Sequence, residues 1–198
     1  VLKEFELFEK TPVSQQYDNF KTHTSIYINS AKINQHLMQG TFKEGVALIP
    51  VIEKKLKEYE LFVDVHRILV FNYKFATLHF GNGNYGTSID YLQKIINGPL
   101  DLRIDLQCYA RLLHMMAHYE LGNFDIMESL IKSVYRFMAK MKNLTVVEEE
   151  MFKFLRRSFH VSPKKLKPEF EQLLYNIKHL EKNRFETRAF AYLDIISW

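Results

Sequence analysis

Apolar residues recur along this chain with helical spacing. Tyr85, Ile89, Leu92, Ile95 and Ile96 stand at offsets of 4, 7, 10 and 11 residues, which stacks them on one face of a 3.6-residue helix. Phe124, Met127, Ile131, Val134, Met138 and Met141 repeat the pattern, as do Leu166, Phe170, Leu173, Ile177 and Leu180. Alternation of period two never persists over a strand length. The pattern predicts an all-α chain with helices over 2–10, 13–39, 42–59, 61–81, 85–97, 102–121, 124–142, 146–160, 164–182 and 185–197. The second is expected to break near Thr22–Ser25, where β-branched and hydroxyl residues crowd. Pro50 lies inside the third, where it removes a hydrogen bond and should kink the helix.

Cap signals mark the ends. Thr41 with Glu44, and Thr145 with Glu148, fit the capping box, in which hydroxyl and carboxylate each satisfy a backbone donor. Asn183 with Glu186 follows the same logic. Ser162–Pro163 places a cap residue before a proline at the first helical position, and Thr11–Pro12 marks another turn. Gly83–Asn84 and Gly122–Asn123 each end one helix and begin the next.

Three junctions are alike. They read Gly40-Thr-Phe42-Lys-Glu-Gly45, Gly83-Asn-Tyr85-Gly-Thr-Ser88 and Gly122-Asn-Phe124-Asp-Ile-Met127. Their glycines are 43 and 39 residues apart, a period that indicates an α-solenoid of stacked hairpins. Gly45 is expected to allow close helix approach at the place Ser88 fills one repeat later. Gly81 and Gly86 read as residues that loosen their junction.

The stretch from Ala76 to Ile96 resembles the tetratricopeptide repeat family. Ala76 matches its first small position, Gly83, Asn84 and Tyr85 its turn, and Ser88 its second small position. Pro99 lies near the family's closing proline. The next repeat has Ala117, Gly122, Asn123 and Phe124, with Met127 where a small residue is usual. The resemblance spans residues 24–142, and the spacings exceed the family's period of about 34 residues. It implies an array of antiparallel helical hairpins in a right-handed superhelix whose first helices line a concave groove. Residues 1–198 then form one array, with N-terminal helices over 1–39 and a C-terminal hairpin and capping helix over 143–198. Because it starts at Val1 and stops at Trp198 within an apolar pattern, the chain is expected to be an excerpt of a longer one. The family phasing makes Tyr27, Asn34, Tyr73, Thr77, Tyr109, Leu112, Met116 and Tyr119 groove candidates.

Composition narrows the class. A hydrophobic fraction of 47% is too high for a disordered chain. One cysteine, Cys108, excludes a disulfide scaffold and suits a reducing compartment, so a cytoplasmic location is expected. No apolar run reaches the ~20 residues of a membrane helix. The chain carries 27 basic and 23 acidic residues, a formal +4. The excess is spread out. Arg156, Arg157, Lys164, Lys165 and Lys167 form its densest part, and their neighbouring acids argue against a nucleic-acid interface. Asn143-Leu144-Thr145 matches a glycosylation acceptor.

The remaining polar clusters are read as structural. His36, His79 and His118 each stand four residues before a junction glycine, and His114 shares a helical face with His118. A metal-binding or pH-responsive row is one reading. Packed imidazoles with one hydrogen bond each are the other, because stacked repeats sit ~8–10 Å apart, too far to share one ion. Glu148-Glu149-Glu150 suits a helix N-terminus and a solvated face. No paired carboxylates, nucleophile elbow or phosphate loop is present. The expectation is therefore no catalytic residue, no metal and no cofactor. The chain is expected to be a scaffold that binds a peptide or partner protein through a concave groove. The alternative is a regulatory or structural segment of a larger protein. A histidine metalloenzyme and a nucleic-acid binder rank below both, and the oligomeric state is open.

Overall fold

His36, His79 and His118 each precede a glycine in the left-handed region, at φ 66° for Gly40, 76° for Gly83 and 74° for Gly122. This geometry is seen in a computed structural model, which describes residues 2–99, 102–142, 144–158, 161 and 165–193. A residue with a Cβ is strained at such φ, so glycine here is a requirement of the turn. The histidine carbonyl then accepts the N–H five residues on, from Thr41 at 3.1 Å, Asn84 at 2.8 Å and Asn123 at 3.1 Å. One helix ends and the next starts within four residues, three times over.

The described residues form eleven helices: α1 (Leu2–Glu9), α2 (Pro12–Gln16), α3 (Asp18–Gln39), α4 (Phe42–Glu58), α5 (Val65–Gly81), α6 (Tyr85–Ile96), α7 (Ile104–Glu120), α8 (Phe124–Lys140), α9 (Val146–Ser158), α10 (Leu166–Lys178) and α11 (Thr187–Tyr192). The fold is all-α, and within each unit the helices pack largely on neighbours in sequence. The chain divides into two compact units, one up to Gly98 and one from Pro99 onward.

In the first unit α3, α4, α5 and α6 pack as successive hairpins, and α1 and α2 lie against α3. Ile33, Ile49, Phe75, Leu78, Leu92 and Ile95 are buried between them. Gly45 fits because a Cβ there would meet Leu78 Cδ2 at 2.5 Å and His36 Cβ at 3.1 Å. At the equivalent place one repeat later, the buried Ser88 donates to the Ala76 carbonyl at 2.9 Å. A small residue thus brings the helices together at both sites, as its spacing predicts.

In the second unit α7 pairs with α8, and α9 contacts both α8 and α10. Met115, Met127, Met138, Phe152 and Phe154 are buried there. Met127 fills the position held by Gly45 and Ser88, so a flexible thioether occupies that site. Glu186 reaches the start of α9, where its carboxylate accepts the N–H groups of Val146 at 3.3 Å and Val147 at 3.2 Å. Two donors that α9 cannot satisfy internally are met by a residue forty positions downstream.

Several local expectations change. The break before α3 falls at Tyr17, whose extended backbone (φ −125°, ψ 127°) separates α2 from α3. Thr22, Thr24 and Ser25 are buried within continuous α3, so tertiary packing outweighs their weak helix propensity. The fifth helix starts at Val65, where the Asp64 carboxylate accepts the His66 N–H at 2.9 Å. Thr41 makes no side-chain cap bond, because its hydroxyl bonds His36. Glu186 caps α9, and Asn183 instead accepts the Phe185 N–H at 3.0 Å. Glu148 is buried, unlike a solvated face. A Cβ on Gly81 would meet the Phe42 ring at 2.5 Å, so that glycine tightens its junction. Pro50 lies exposed within α4. Asn143, Ser162, Pro163, Lys164 and Trp198 lie outside the described residues.

Candidate partner-binding surface

Of the eight groove candidates, five are interior. Tyr73 on α5, and Tyr109, Leu112, Met116 and Tyr119 on α7, are all buried. Their rings and chains hold helices together. Tyr109 stacks on Tyr192 with centroids 4.6 Å apart, and its hydroxyl donates to Glu148 at 3.0 Å. Tyr119 meets Phe124 edge-on at 5.7 Å. Helical phasing places residues on a face, but only the packing partner decides whether that face is covered.

The other three reach the surface. Tyr27 and Asn34 on α3 are exposed, and Thr77 on α5 is half-buried with its hydroxyl donating to the Tyr73 carbonyl. Beside them α3 and α5 exchange polar contacts. The Arg67 guanidinium lies over the Tyr27 ring at 5.2 Å and donates to its hydroxyl at 3.4 Å. Lys74 Nζ donates to Ser30 Oγ at 2.6 Å. Burial lowers the Lys74 ammonium to a pKa of about 8. Among the described residues, no carboxylate pairs with Arg67 or Lys74.

A second exposed region lies at the end of the first unit opposite the Gly40 junction. Because α3 and α4 run antiparallel, the first turn of α3 sits beside the α4–α5 connection, and Lys21 Nζ lies 6.0 Å from the Tyr59 ring. Val63 is buried and pins the connection. Around it Tyr17, Phe20, Leu61, Phe62 and Val65 are exposed, Leu61 by 93%. Tyr17 and Phe20 touch edge-on at 5.7 Å. The region falls outside the repeat positions, so the repeat spacing gives no signal for it. The run Leu61-Phe62-Val63 between two charged turns is the signal that would have found it.

The second unit has an open cleft of about 480 Å³ between α9 and α10, lined by Val146, Glu150, Tyr175, Asn176 and His179. Glu150 accepts from Asn176 at 2.7 Å and from Lys153 at 2.7 Å. Lys153 and Asn176 hold its carboxyl below the usual carboxylate range against the opposing effect of burial. The carboxylate is thus already occupied by its neighbours.

The histidine row is explained by the junctions. His36 Nδ1 lies 2.7 Å from Thr41 Oγ1, His118 Nδ1 lies 2.9 Å from Asn123 Nδ2, and His79 makes a longer 3.5 Å contact to Asn84 Nδ2. Each ring therefore holds the side chain of the residue whose backbone N–H its own carbonyl already accepts. Burial lowers the pKa of His79 and His118, and Glu53 opposes the shift at His79. His114 falls to about 4, first through burial and then through His118 and Arg111. Its ring meets His118 at 4.5 Å. Among the described residues, no three His, Cys, Asp or Glu side chains gather as a metal site.

The basic stretch is also engaged. Arg157 pairs with Glu169 at 3.0 Å, and Arg156 lies over the Tyr135 ring at 5.2 Å. Lys167 lies 3.9 Å from Glu171. Cys108 is fully buried. None of the described helices is long and apolar enough to cross a membrane. No family model, curated protein or solved structure matches the chain.

Proposed function

We propose that this chain is a protein-interaction module, built as a tetratricopeptide-like array of hairpins, that binds a partner polypeptide without catalysing a reaction. One observation carries the reading. Tyr17, Phe20, Leu61, Phe62 and Val65 leave large apolar side chains in solvent at one end of the first unit. Clustered exposed apolar groups of this kind mark protein interfaces, whereas single ones are ordinary. The α3–α5 strip of Tyr27, Asn34 and Thr77, with Arg67 and Lys74 beside it, supplies polar contacts of the sort found at an interface rim. A cytoplasmic setting suits a chain with a single cysteine.

Affinity capture from native lysate tests this. The wild-type chain should retain a defined set of proteins that Leu61→Glu/Phe62→Glu loses. Both substitutions are at exposed positions, so the variant should keep its circular dichroism and melting temperature. Equal capture by the folded variant would refute the assignment of the surface.

A further inference from the structure

Lys74 stands on α5 between the buried Tyr73 and Phe75. It is itself half-buried, with Nζ 5.9 Å from the centroid of the Phe71 ring one turn earlier. Nζ donates to Ser30 Oγ on α3 at 2.6 Å, so its hydrogen-bond partner is a neutral hydroxyl. Lys32, also half-buried, has the Glu6 carboxylate at 3.0 Å. Among the described residues no carboxylate pairs with Lys74. A cation taken out of water without a counter-charge is costly, and losing its proton removes that cost. Burial accordingly lowers Lys74 to about 8. At pH 7.4 such a group is a free amine roughly a fifth of the time, against about 0.1% for an ordinary lysine.

We propose that Lys74 is an acylation site, at which the amine held between α3 and α5 takes an acyl group from a thioester. The inference stands apart from the interaction reading above. In the step, the Nζ lone pair attacks the thioester carbonyl carbon. A C–N bond forms, the C–S bond breaks, and its electron pair leaves with the sulfur. The proton shed by the nitrogen ends on that thiolate, so the products are an amide and a free thiol. Desolvation is what makes a lysine amine nucleophilic near neutral pH. The setting also selects among electrophiles by the charge of the product. The amide is neutral, so acylation ends the burial of a charge, and its remaining N–H can still donate to Ser30. Carbon dioxide would instead leave an anionic carbamate in the same half-buried place, where no gain of this kind follows.

The test incubates the folded chain with acetyl-coenzyme A and follows acetylation of each lysine by peptide mass spectrometry. At pH 7.4 Lys74 should react about tenfold faster than the exposed Lys43 and Lys54. Its rate should level off above about pH 8 instead of climbing toward pH 10. Ser30→Asp sets a carboxylate against Nζ and should bring Lys74 down to the rate of Lys43 and Lys54 in a variant that keeps its circular dichroism. The pH profile is read on the wild-type chain, so it decides the matter even where Ser30→Asp does not fold. Acetylation of Lys74 no faster than that of Lys43 and Lys54 overturns the proposal. So does a Lys74 rate that keeps rising through pH 10, or one that folded Ser30→Asp leaves unchanged.

Discussion

The Tyr109 hydroxyl donates to Glu148 Oε1 at 3.0 Å, and both side chains are buried. The other carboxylate oxygen of Glu148 accepts the Thr145 N–H at 2.9 Å and bonds the Thr145 hydroxyl. A helix cap at the start of α9 is thereby tied to the middle of α7. An aromatic that repeat phasing assigns to a groove serves instead as an internal strut.

Tyr109→Phe should expose the cost of that strut. It keeps the ring and its stacking on Tyr192 but leaves a buried carboxylate oxygen with one partner fewer. Stability should fall by about 1–3 kcal/mol, measured as a lower urea midpoint. A change within error would mean the bond is unimportant.

Two glycines should respond oppositely to alanine. At Gly45 the added Cβ meets Leu78 Cδ2 at 2.5 Å, whereas nothing lies within 4 Å of the corresponding position at Gly86. Gly45→Ala should cost about 1–3 kcal/mol through overpacking. Gly86→Ala should stabilise by about 0.5–1 kcal/mol, because alanine loses less backbone entropy in a helix. Thermal melts of both variants compare them directly, and a stabilised Gly45→Ala would contradict the close approach.

The glycines also show how far the chain could be read before its structure was known. Helix identity and the repeated junctions follow from spacing and from the need for left-handed turns at Gly40, Gly83 and Gly122. The close approach at Gly45 follows too, since a small residue recurs there. Gly81 is different: its closeness depends on where the Phe42 ring lands, which is a long-range event. The candidate surface was the least legible part. Tyr73, Tyr109 and Tyr119 share the helical phase expected of a groove, yet other helices cover them. Leu61 and Phe62 belong to no periodic face, and only the antiparallel meeting of α3 and α4, which sets Lys21 near the Tyr59 ring, brings their connection to the end of the unit where α3 starts.

Lys74 should make stability rise on the alkaline side. Its folded pKa is lowered by burial to about 8, against about 10.4 in an unfolded chain. The unfolded state thus binds more protons between these values, and stability increases with pH across that window. Below pH 8 the full cost of the buried cation is present. Lys74→Met should therefore be more stable than wild type at pH 7, by about 1 kcal/mol, and lose that advantage near pH 10. Urea titrations at both pH values measure the difference; an equal offset at both would remove the buried charge as its cause.

His114 should titrate far below its free value. Burial, His118 and Arg111 hold it near 4, so the ring is neutral in the folded chain at neutral pH. Its folded pKa lies below the unfolded value of about 6.5. Its contribution is full above that value, and stability is lost as pH falls from there toward 4. A two-dimensional NMR titration of the imidazole resonances should find the His114 midpoint near 4. The pH dependence of unfolding between those values should be shallower in His114→Phe. A midpoint near 6.5 would contradict the packed environment.

Hydrogen exchange with a captured partner bound tests the central claim most directly. The interaction reading predicts new protection confined to residues 17–21 and 57–66, with the buried first-helix residues around Tyr73 and Tyr109 unchanged. Protection that spares the α4–α5 connection and falls elsewhere on the chain would contradict it.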